Sequence, residues 1–266
     1  MMNPKNPVQQ ELALIDSGIK QLFYKNNVVI EDIESFVQGG SKRIRSVVAL
    51  LYLKMQNIEI SDDIVKVLVS GELIHNASLL HDDVVDNSEL RRGKQNLYGK
   101  YGAKISILSG DYLLSIAVKN MLDINNKEIL TLFVNTAENM SQAEIYQFLK
   151  RGNDITIEDY KKIIYGKTAS LFETILESCA ILSSLNREKA KKFGKHFGVL
   201  FQINNDMQEE SAKNDIKNGL KTVKNILGLE NVQIFKDNYK KELREILKDT
   251  VQNPYKTALE DIVKNI

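Results

Sequence analysis

Residues 79–94 read LLHDDVVDNSELRRGK, and three aspartates stand in this stretch directly after an apolar helical run. On a helix, Asp82 and Asp86 share one face because they are four residues apart, and Asp83 flanks that face. Carboxylates this close repel one another, so the cluster is costly unless a cation binds to it. Mg²⁺ takes oxygen ligands, keeps several waters and commonly joins carboxylates to substrate phosphates. The stretch therefore predicts a helix that ends in a magnesium site.

Two arginines follow the acidic residues within the same stretch. The guanidinium groups of Arg91 and Arg92 are planar forks that each suit two oxygens of a phosphate. Upstream, residues 39–45 read GGSKRIR and open an apolar helix. Glycines allow close approach of the backbone, and helix N-termini attract phosphate. A solvated turn is the alternative interpretation of each cluster, but the acids and the arginine pair together predict a site for Mg²⁺ and a diphosphate.

Composition restricts the class of protein. The chain has 266 residues, of which 43% are hydrophobic and 27% charged, enough for a buried core. A net charge of +1 gives no indication of nucleic acid or of an anionic membrane as a partner. The single cysteine, Cys179, excludes a disulfide framework and fits a reducing, cytoplasmic compartment. The N-terminal residues lack a signal-type apolar core, and no stretch approaches the roughly 20 apolar residues of a membrane span.

Helical periodicity dominates the chain. Prolines occur only at positions 4, 7 and 254, so the middle is free of the strongest helix breaker. Apolar residues recur at helical spacing in five segments: 65–80, 105–118, 129–150, 157–185 and 187–208. No β-hairpin signal, repeat or low-complexity linker is present. The sequence predicts an all-α fold in one domain over residues 1–266.

Local signals refine this prediction. We expect Asp62 to cap the helix that leads to the acidic cluster, and Thr156 with Asp159 to form a capping box. The polar segment 211–219 is expected to be a mobile loop, with lysine-rich helices after it.

A second, weaker acidic cluster lies in residues 201–210, FQINNDMQEE. Asn205, Asp206 and Glu209 repeat the spacing of the first cluster at the end of another predicted helix. Two acid-tipped helices can hold metal ions between them in bundle folds, whereas an exposed helix end is the alternative interpretation.

Taken together, these segments resemble the trans-isoprenyl diphosphate synthases, the polyprenyl synthetase family. The resemblance runs from about residue 30 to about residue 225 with the motifs in family order, and it is most specific over residues 72–114. It implies an antiparallel helical bundle of the isoprenoid synthase type around a deep apolar cavity, with two aspartate-rich motifs at its mouth. It also implies a 1′-4 condensation, in which an allylic diphosphate ionises, isopentenyl diphosphate attacks the carbocation and a proton is lost.

The resemblance further implies a role for each motif residue. The Mg²⁺ ligands are Asp82, Asp83, Asp86, Asp206 and Glu209. The positions that grip isopentenyl diphosphate are Lys42, Arg45, His75 and Arg92. The positions that contact the allylic diphosphate or shield the cation are Arg91, Lys167, Thr168 and Gln202. Two positions match a helix that lines the cavity, Glu144 and Gln147. Packing or snorkelling is the alternative interpretation of His75 and Lys167.

The chain departs from the family pattern at several positions. Where the family has Asp-Asp-x-x-Asp, residues 205–209 read NDMQE, so Asn205 replaces a charged ligand with a neutral amide. The lid loop normally reads Gly-Lys-x-Thr, but residues 219–222 read GLKT. Leu220 therefore holds the lysine position, and Lys221 serves only if the loop shifts by one residue. Two serines replace a glycine and a proline of the basic motif: Ser41 and Ser46. These changes predict a slower enzyme with altered metal affinity, or a specialised member.

Product length in this family depends on side chains before the first acidic motif. The fifth and fourth residues before Asp82 are Ala77 and Ser78, and both are small. A bulky aromatic at either position would stop the product near farnesyl length, whereas small residues let it run deeper, to a plug such as Ile74. The resemblance therefore predicts a medium- or long-chain polyprenyl diphosphate, with a farnesyl or geranylgeranyl diphosphate synthase as the alternative.

Two other functions compete with an active prenyltransferase. A weakly active or regulatory subunit of a heteromeric synthase is suggested by Asn205 and Leu220, although Arg91 and Arg92 would be idle in it. A terpene cyclase is the other, and it is disfavoured because Glu209 stands where its second motif needs a serine. The resemblance implies a homodimer, with a heteromeric partner synthase as the alternative and no nucleic acid.

Overall fold

The structure is a computed structural model, and it describes residues 5–24, 27–39, 42–91, 93–208 and 223–266. Some predictions lie outside the described residues: those on Ser41, Arg92, Glu209, Leu220, Lys221 and the loop 211–219.

Helices account for nearly all regular structure in the described chain. They are α1 (Gln9–Gln21), α2 (Val28–Gln38), α3 (Ile44–Lys54), α4 (Asp62–Val85), α5 (Leu97–Leu122), α6 (Lys127–Leu149), α7 (Ile157–Ile164), α8 (Ser170–Ser183), α9 (Arg187–Asp206), α10 (Val223–Leu227), α11 (Leu229–Leu247) and α12 (Pro254–Asn265). A 3₁₀ turn, Asn6–Val8, precedes α1, and a π-helical turn, Tyr165–Ala169, joins α7 to α8. The all-α prediction is confirmed, as are the lysine-rich helices near the C-terminus.

A short antiparallel ribbon lies between α4 and α5. It consists of β1 (Leu90–Arg91) and β2 (Lys94–Gln95), with Arg91 paired to Lys94. The prediction of no β-hairpin was therefore wrong. Two residues per strand are too few to show alternation, and the reversal depends on Gly93, whose φ of 74° lies in the left-handed region that glycine adopts readily.

Side-chain caps fix where two helices begin. Ser61, not Asp62, caps α4, because its side chain accepts a hydrogen bond from the Ile64 amide at 3.3 Å. The Asp62 prediction was wrong by one residue. The capping box of α7 is confirmed: Thr156 accepts from the Asp159 amide at 3.1 Å, and Asp159 accepts from the Thr156 amide at 2.8 Å.

Contacts divide the described chain into two compact units, and the prediction of one domain over residues 1–266 stays a prediction. Residues 8–50 and 59–130 form one unit, in which α4 packs along α5 and against α1. Residues 51–58 and 131–266 form the other, in which α9 packs against α8 and α11. Two glycines allow the close approach of α9 to α8. A Cβ on Gly194 would lie 2.6 Å from the Phe172 carbonyl oxygen, and one on Gly198 would lie 2.5 Å from the Ala169 Cα.

Helix α5 contradicts the expectation that no stretch is apolar enough to span a membrane. Over its 26 residues it is, by length and composition alone, apolar enough to cross a membrane, although no such stretch was predicted. Interior helices of folded domains meet the same criterion, and 44% of its most apolar window is buried.

Candidate active site

The three aspartates of the first cluster lie at the end of α4 and differ in how exposed their side chains are. Asp82 and Asp83 lie in the last turn, and the amide of Asp86 donates to the Asp82 carbonyl at 2.9 Å. Asp82 and Asp86 are partly exposed, whereas the Asp83 side chain is 1% exposed. Two carboxylates one turn apart therefore face outward, and the third faces inward.

Asp83 holds Arg91. Nη2 of Arg91 donates to Oδ1 of Asp83 at 2.6 Å, and Nε donates to the same oxygen at 3.0 Å and to Oδ2 at 3.3 Å. Burial raises the pKa of Asp83, and the hydrogen bonds and charge of Arg91 oppose that shift. The ribbon, together with this fork-shaped contact, fixes the guanidinium against the last turn of α4. A guanidinium that is fixed in this way suits phosphate binding.

Asn96 ties the ribbon to α5. Its side chain caps α5 by accepting from the Gly99 amide at 2.8 Å, and it donates to the Ser88 carbonyl at 2.6 Å. The segment that carries Arg91 is therefore held at both of its ends.

A cavity of about 570 Å³ opens in the same unit. His75, Asn76 and Leu79 of α4 line it, with Arg91 on one side. The wall is completed by residues of α2, of β2 and of the start of α5: Asp32, Ser35, Phe36, Gly39, Lys94, Gln95, Asn96, Leu97 and Lys100. Its size and its cationic groups suit a small anionic ligand.

The basic segment before α3 is organised by a buried carboxylate, Glu72. Arg43 donates to Glu72 at 3.5 Å and to Asp16 at 3.1 Å. Ser46 donates to Glu72 twice, from its hydroxyl at 2.7 Å and from its amide at 3.4 Å. A proline at position 46 has no N–H to donate, so the serine of this chain adds two donors. Sequence reasoning gave Glu72 no role, although a charge inside an apolar helix was the available signal.

The predicted ligands of isopentenyl diphosphate occupy different environments. His75 lines the cavity, and Lys42 is exposed. Arg45 is buried, and burial lowers the pKa of its guanidinium to about 10, with Glu72 opposing the shift. The structure thus places His75 at the cavity, whereas Lys42 and Arg45 are not among its lining residues.

The candidate chain-length residues all lie on α4. Ile74 and Ala77 are buried, and Ser78 is partly exposed and donates to the His75 carbonyl at 2.8 Å. None of the three lines the 570 Å³ cavity, so their role in product length stays a prediction.

In the other unit, a hydrogen-bonded chain surrounds the last residue of α9. Asp206 accepts from the Tyr160 hydroxyl at 2.6 Å and from Nε2 of Gln202 at 2.7 Å. Thr168 donates in turn to Oε1 of Gln202 at 2.8 Å. Burial raises the pKa of Asp206 to about 6, against the lowering effect of these donors and of Lys167. The structure brings together the predicted residues Thr168, Gln202 and Asp206.

Tyr160 was missed by sequence reasoning. It lies on the buried face of the amphipathic α7, where a tyrosine pattern is indistinguishable from core packing.

Lys167 lies in the π-helical turn between α7 and α8, a feature that often marks functional sites. Its ammonium group donates to Oε1 of Gln147 at 2.6 Å and forms an ion pair with Glu144. Gly166 permits the close packing of this turn on α6, because a Cβ there would lie 2.5 Å from the Ala143 Cβ. Lys167, Glu144 and Gln147, which the sequence singled out separately, therefore form one cluster.

The donor chemistry fits a magnesium ion that is completed by substrate and water. Among the described residues, no group of three or more His, Cys, Asp or Glu side chains is arranged to hold a metal. Mg²⁺ is usually bound by one or two carboxylates together with waters and phosphates, not by an all-protein cage. Asp82 and Asp86 provide such a pair.

Comparison with known proteins shows the family of this chain. The profile of the polyprenyl synthetase family matches residues 26–264. The chain belongs to this family. It is 31% identical over 208 residues to octaprenyl diphosphate synthase of Escherichia coli (strain K12), an alignment that covers 76% of this chain and 64% of that protein. It is 29% identical over 273 residues to all-trans-nonaprenyl-diphosphate synthase (geranyl-diphosphate specific) of Rhodobacter capsulatus, which covers 97% of this chain and 81% of that protein.

A solved structure of another protein shares the fold of this chain. It is the polyprenyl synthase from Caulobacter crescentus CB15 complexed with calcium and isoprenyl diphosphate, with a TM-score of 0.87 and 22% identity. The match covers 98% of this chain and 95% of that one, and the isoprenoid synthase type of fold is thereby confirmed. This chain spans less than two thirds of the length of the Escherichia coli synthase.

Proposed function

We propose that the protein is a trans-prenyltransferase that makes a medium- or long-chain polyprenyl diphosphate by 1′-4 condensation of isopentenyl diphosphate with an allylic diphosphate. The observation that carries this proposal is the placement of Arg91. Asp83 fixes its guanidinium against the last turn of α4, and Asp82 and Asp86 are carried by this turn and by the residue that ends it. Arg91 also lines the cavity, together with Lys94 and Lys100. A fixed guanidinium and a carboxylate pair on one short segment suit recognition of a diphosphate.

The first step assigned to the protein is breakage of the allylic C–O bond. The electron pair of that bond leaves with the diphosphate, so the negative charge on the leaving group increases as the carbocation forms. Mg²⁺ bound by Asp82 and Asp86 would supply the charge neutralisation that this leaving group needs. Arg91 adds a fixed positive charge.

The second substrate is assigned to the 570 Å³ cavity. The cavity carries His75, Lys94 and Lys100, and Lys100 is paired with Asp32 at 2.5 Å. A lining that combines cationic side chains with apolar ones such as Leu79 suits a small, branched diphosphate ester. Attack of its terminal double bond on the carbocation forms the new C–C bond, and loss of a proton restores a double bond.

A medium or long product is supported by two observations. The relatives above are named for octaprenyl and nonaprenyl products. In this chain the positions predicted to stop growth carry the small side chains of Ala77 and Ser78.

We also propose a homodimer in the cytoplasm. Four large apolar side chains are exposed on α5, each 39% exposed or more: Ile107, Leu108, Val118 and Leu122. They recur at helical spacing on one face, which suits burial against a second copy of the helix. Light scattering on the purified protein tests the dimer, and a heteromeric partner synthase is the competing outcome. Fractionation of cells that make the full protein tests the compartment.

The experiment that tests the proposed reaction uses purified protein, Mg²⁺, isopentenyl diphosphate and, separately, C5, C10, C15 and C20 allylic diphosphates. We expect a ladder of products that ends at a defined length beyond C20. The Asp82→Ala variant, which should keep the fold, serves as the negative control. No product with any starter would contradict the proposal and favour a regulatory or partner-dependent subunit.

A further inference from the structure

A buried hydrogen bond joins Tyr160 of α7 to Asp206 at the end of α9. The hydroxyl donates to Oδ2 of Asp206 over 2.6 Å, between residues 46 positions apart in the chain. Tyr160 is 5% exposed. Its ring packs in a hydrophobic cluster whose other buried members are Ile164, Ala169, Val199, Ile203, Val223 and Val232. The position of the ring, and hence of the hydroxyl, is therefore set by packing.

A second donor fixes the other oxygen of the same carboxylate. Oδ1 of Asp206 accepts from Nε2 of Gln202 at 2.7 Å. The orientation of the Gln202 amide is itself determined, because its oxygen accepts from Thr168 at 2.8 Å. Each Asp206 oxygen thus accepts one hydrogen bond and retains a further lone pair. A carboxylate held from both sides cannot rotate, and its remaining lone pairs point in fixed directions.

We propose that Tyr160 is a positioning residue that holds the Asp206 carboxylate in the orientation needed to bind a divalent cation. This inference rests on the proposed function in one respect, which is that Asp206 belongs to a metal site. Loss of a hydrogen-bond partner of a metal-ligating group commonly reduces metal affinity by about 10- to 100-fold. The effect should be large in this chain, because position 205 carries asparagine. Within the described part of the second motif, Asp206 is the carboxylate, and position 205 adds no second charge beside it.

The structure offers a matched control for the loss of a hydroxyl. Tyr239 of α11 packs against the same hydrophobic cluster and contacts the rings of Phe235 and His196. Asp206 receives its side-chain donors from Tyr160 and Gln202, and Tyr239 is not one of them. Tyr239→Phe therefore removes a half-buried hydroxyl from the same region and leaves Asp206 as it is.

The test compares Tyr160→Phe with Tyr239→Phe in two assays. The first is binding of Mn²⁺ in the presence of inorganic diphosphate, followed by electron paramagnetic resonance, which needs no turnover. The second is the Mg²⁺ concentration for half-maximal prenyl transfer. For Tyr160→Phe we expect both constants to weaken by about 10- to 100-fold, with an unchanged KM for isopentenyl diphosphate. For Tyr239→Phe we expect wild-type values.

Two further variants make the result specific. In an Asp206→Asn background, Tyr160→Phe should cause no additional loss of Mn²⁺ binding, because the group it positions is gone. Placing p-aminophenylalanine at position 160 keeps the ring and restores a donor, so it should recover most of the lost affinity. The p-aminophenylalanine variant also keeps the test valid if Tyr160→Phe folds poorly.

The outcomes separate this inference from the proposed reaction. Weakened Mn²⁺ binding in Tyr160→Phe would support the positioning role even if no starter gave a prenyl product. Wild-type metal binding and Mg²⁺ dependence in Tyr160→Phe would overturn it, as would an equal loss in Tyr239→Phe.

Discussion

Asp206→Asn should make the metal-free protein more stable while it removes activity. Burial raises the pKa of Asp206 from an ordinary value of 3.8 to about 6. That difference of about two units corresponds to about 3 kcal/mol against the charged form in the folded state. Asparagine carries no charge, so it avoids this cost, although its amide group matches the donors Tyr160 and Gln202 less well than a carboxylate does.

The sign of the effect with pH follows from linkage. Below pH 3.8, Asp206 is protonated in both the folded and the unfolded protein, and it contributes no penalty. Between about pH 3.8 and pH 6 the folded protein holds the proton more tightly than the unfolded chain, so stability decreases as the pH increases. Above about pH 6 the full penalty is present.

The assay is urea unfolding of wild type and Asp206→Asn in EDTA at several pH values from 4 to 8. Other titrating groups are common to both proteins, so the difference in free energy of unfolding isolates Asp206. We expect this difference to shift in favour of Asp206→Asn as the pH increases, by about 3 kcal/mol in total, and to level off above pH 6. A difference that does not depend on pH would refute the reasoning, because it would mean that Asp206 ionises normally in the folded protein.

Three other predictions concern residues of α4 and β1. Asp82→Ala should abolish prenyl transfer while the circular dichroism spectrum stays unchanged; retained turnover would place the metal elsewhere. Arg91→Lys loses the forked contact with Asp83. Because Arg91 is 30% exposed, we expect the free energy of unfolding, measured with urea, to decrease by only about 1–2 kcal/mol, whereas turnover should decrease more. An unchanged kcat/KM would contradict the role of Arg91 in diphosphate binding. Ala77→Phe should shorten the longest product seen by chromatography, and an unchanged product ladder would show that Ala77 does not face the growing chain.

Features encoded by local sequence were predictable. The apolar spacing that precedes Asp82 predicted the course of α4, and Thr156 with Asp159 predicted the start of α7, because caps and periodicity act between residues three or four apart. The ribbon at Arg91 was not predictable, since each strand has only two residues.

Contacts between distant residues left no local signal. The bonds of Ser46 to Glu72 and of Tyr160 to Asp206 join residues 26 and 46 positions apart, and only tertiary packing creates them. The inward orientation of Asp83 is a similar case. Spacing placed it beside the face of Asp82, but burial and the contact with Arg91 determine its role.

The asparagine at position 205 has a physical consequence in the metal-free protein. A carboxylate beside Asp206 would raise the pKa of Asp206 further, because like charges this close disfavour ionisation. Burial, opposed by the hydrogen bonds from Tyr160 and Gln202, already raises that pKa to about 6. Asn205 keeps an oxygen donor at the position but adds no charge, so Asp206 remains ionised near neutral pH with hydrogen bonds from Tyr160 and Gln202. The substitution therefore reduces the charge available to a cation and, for the same reason, reduces the electrostatic cost of burying Asp206 when no cation is bound.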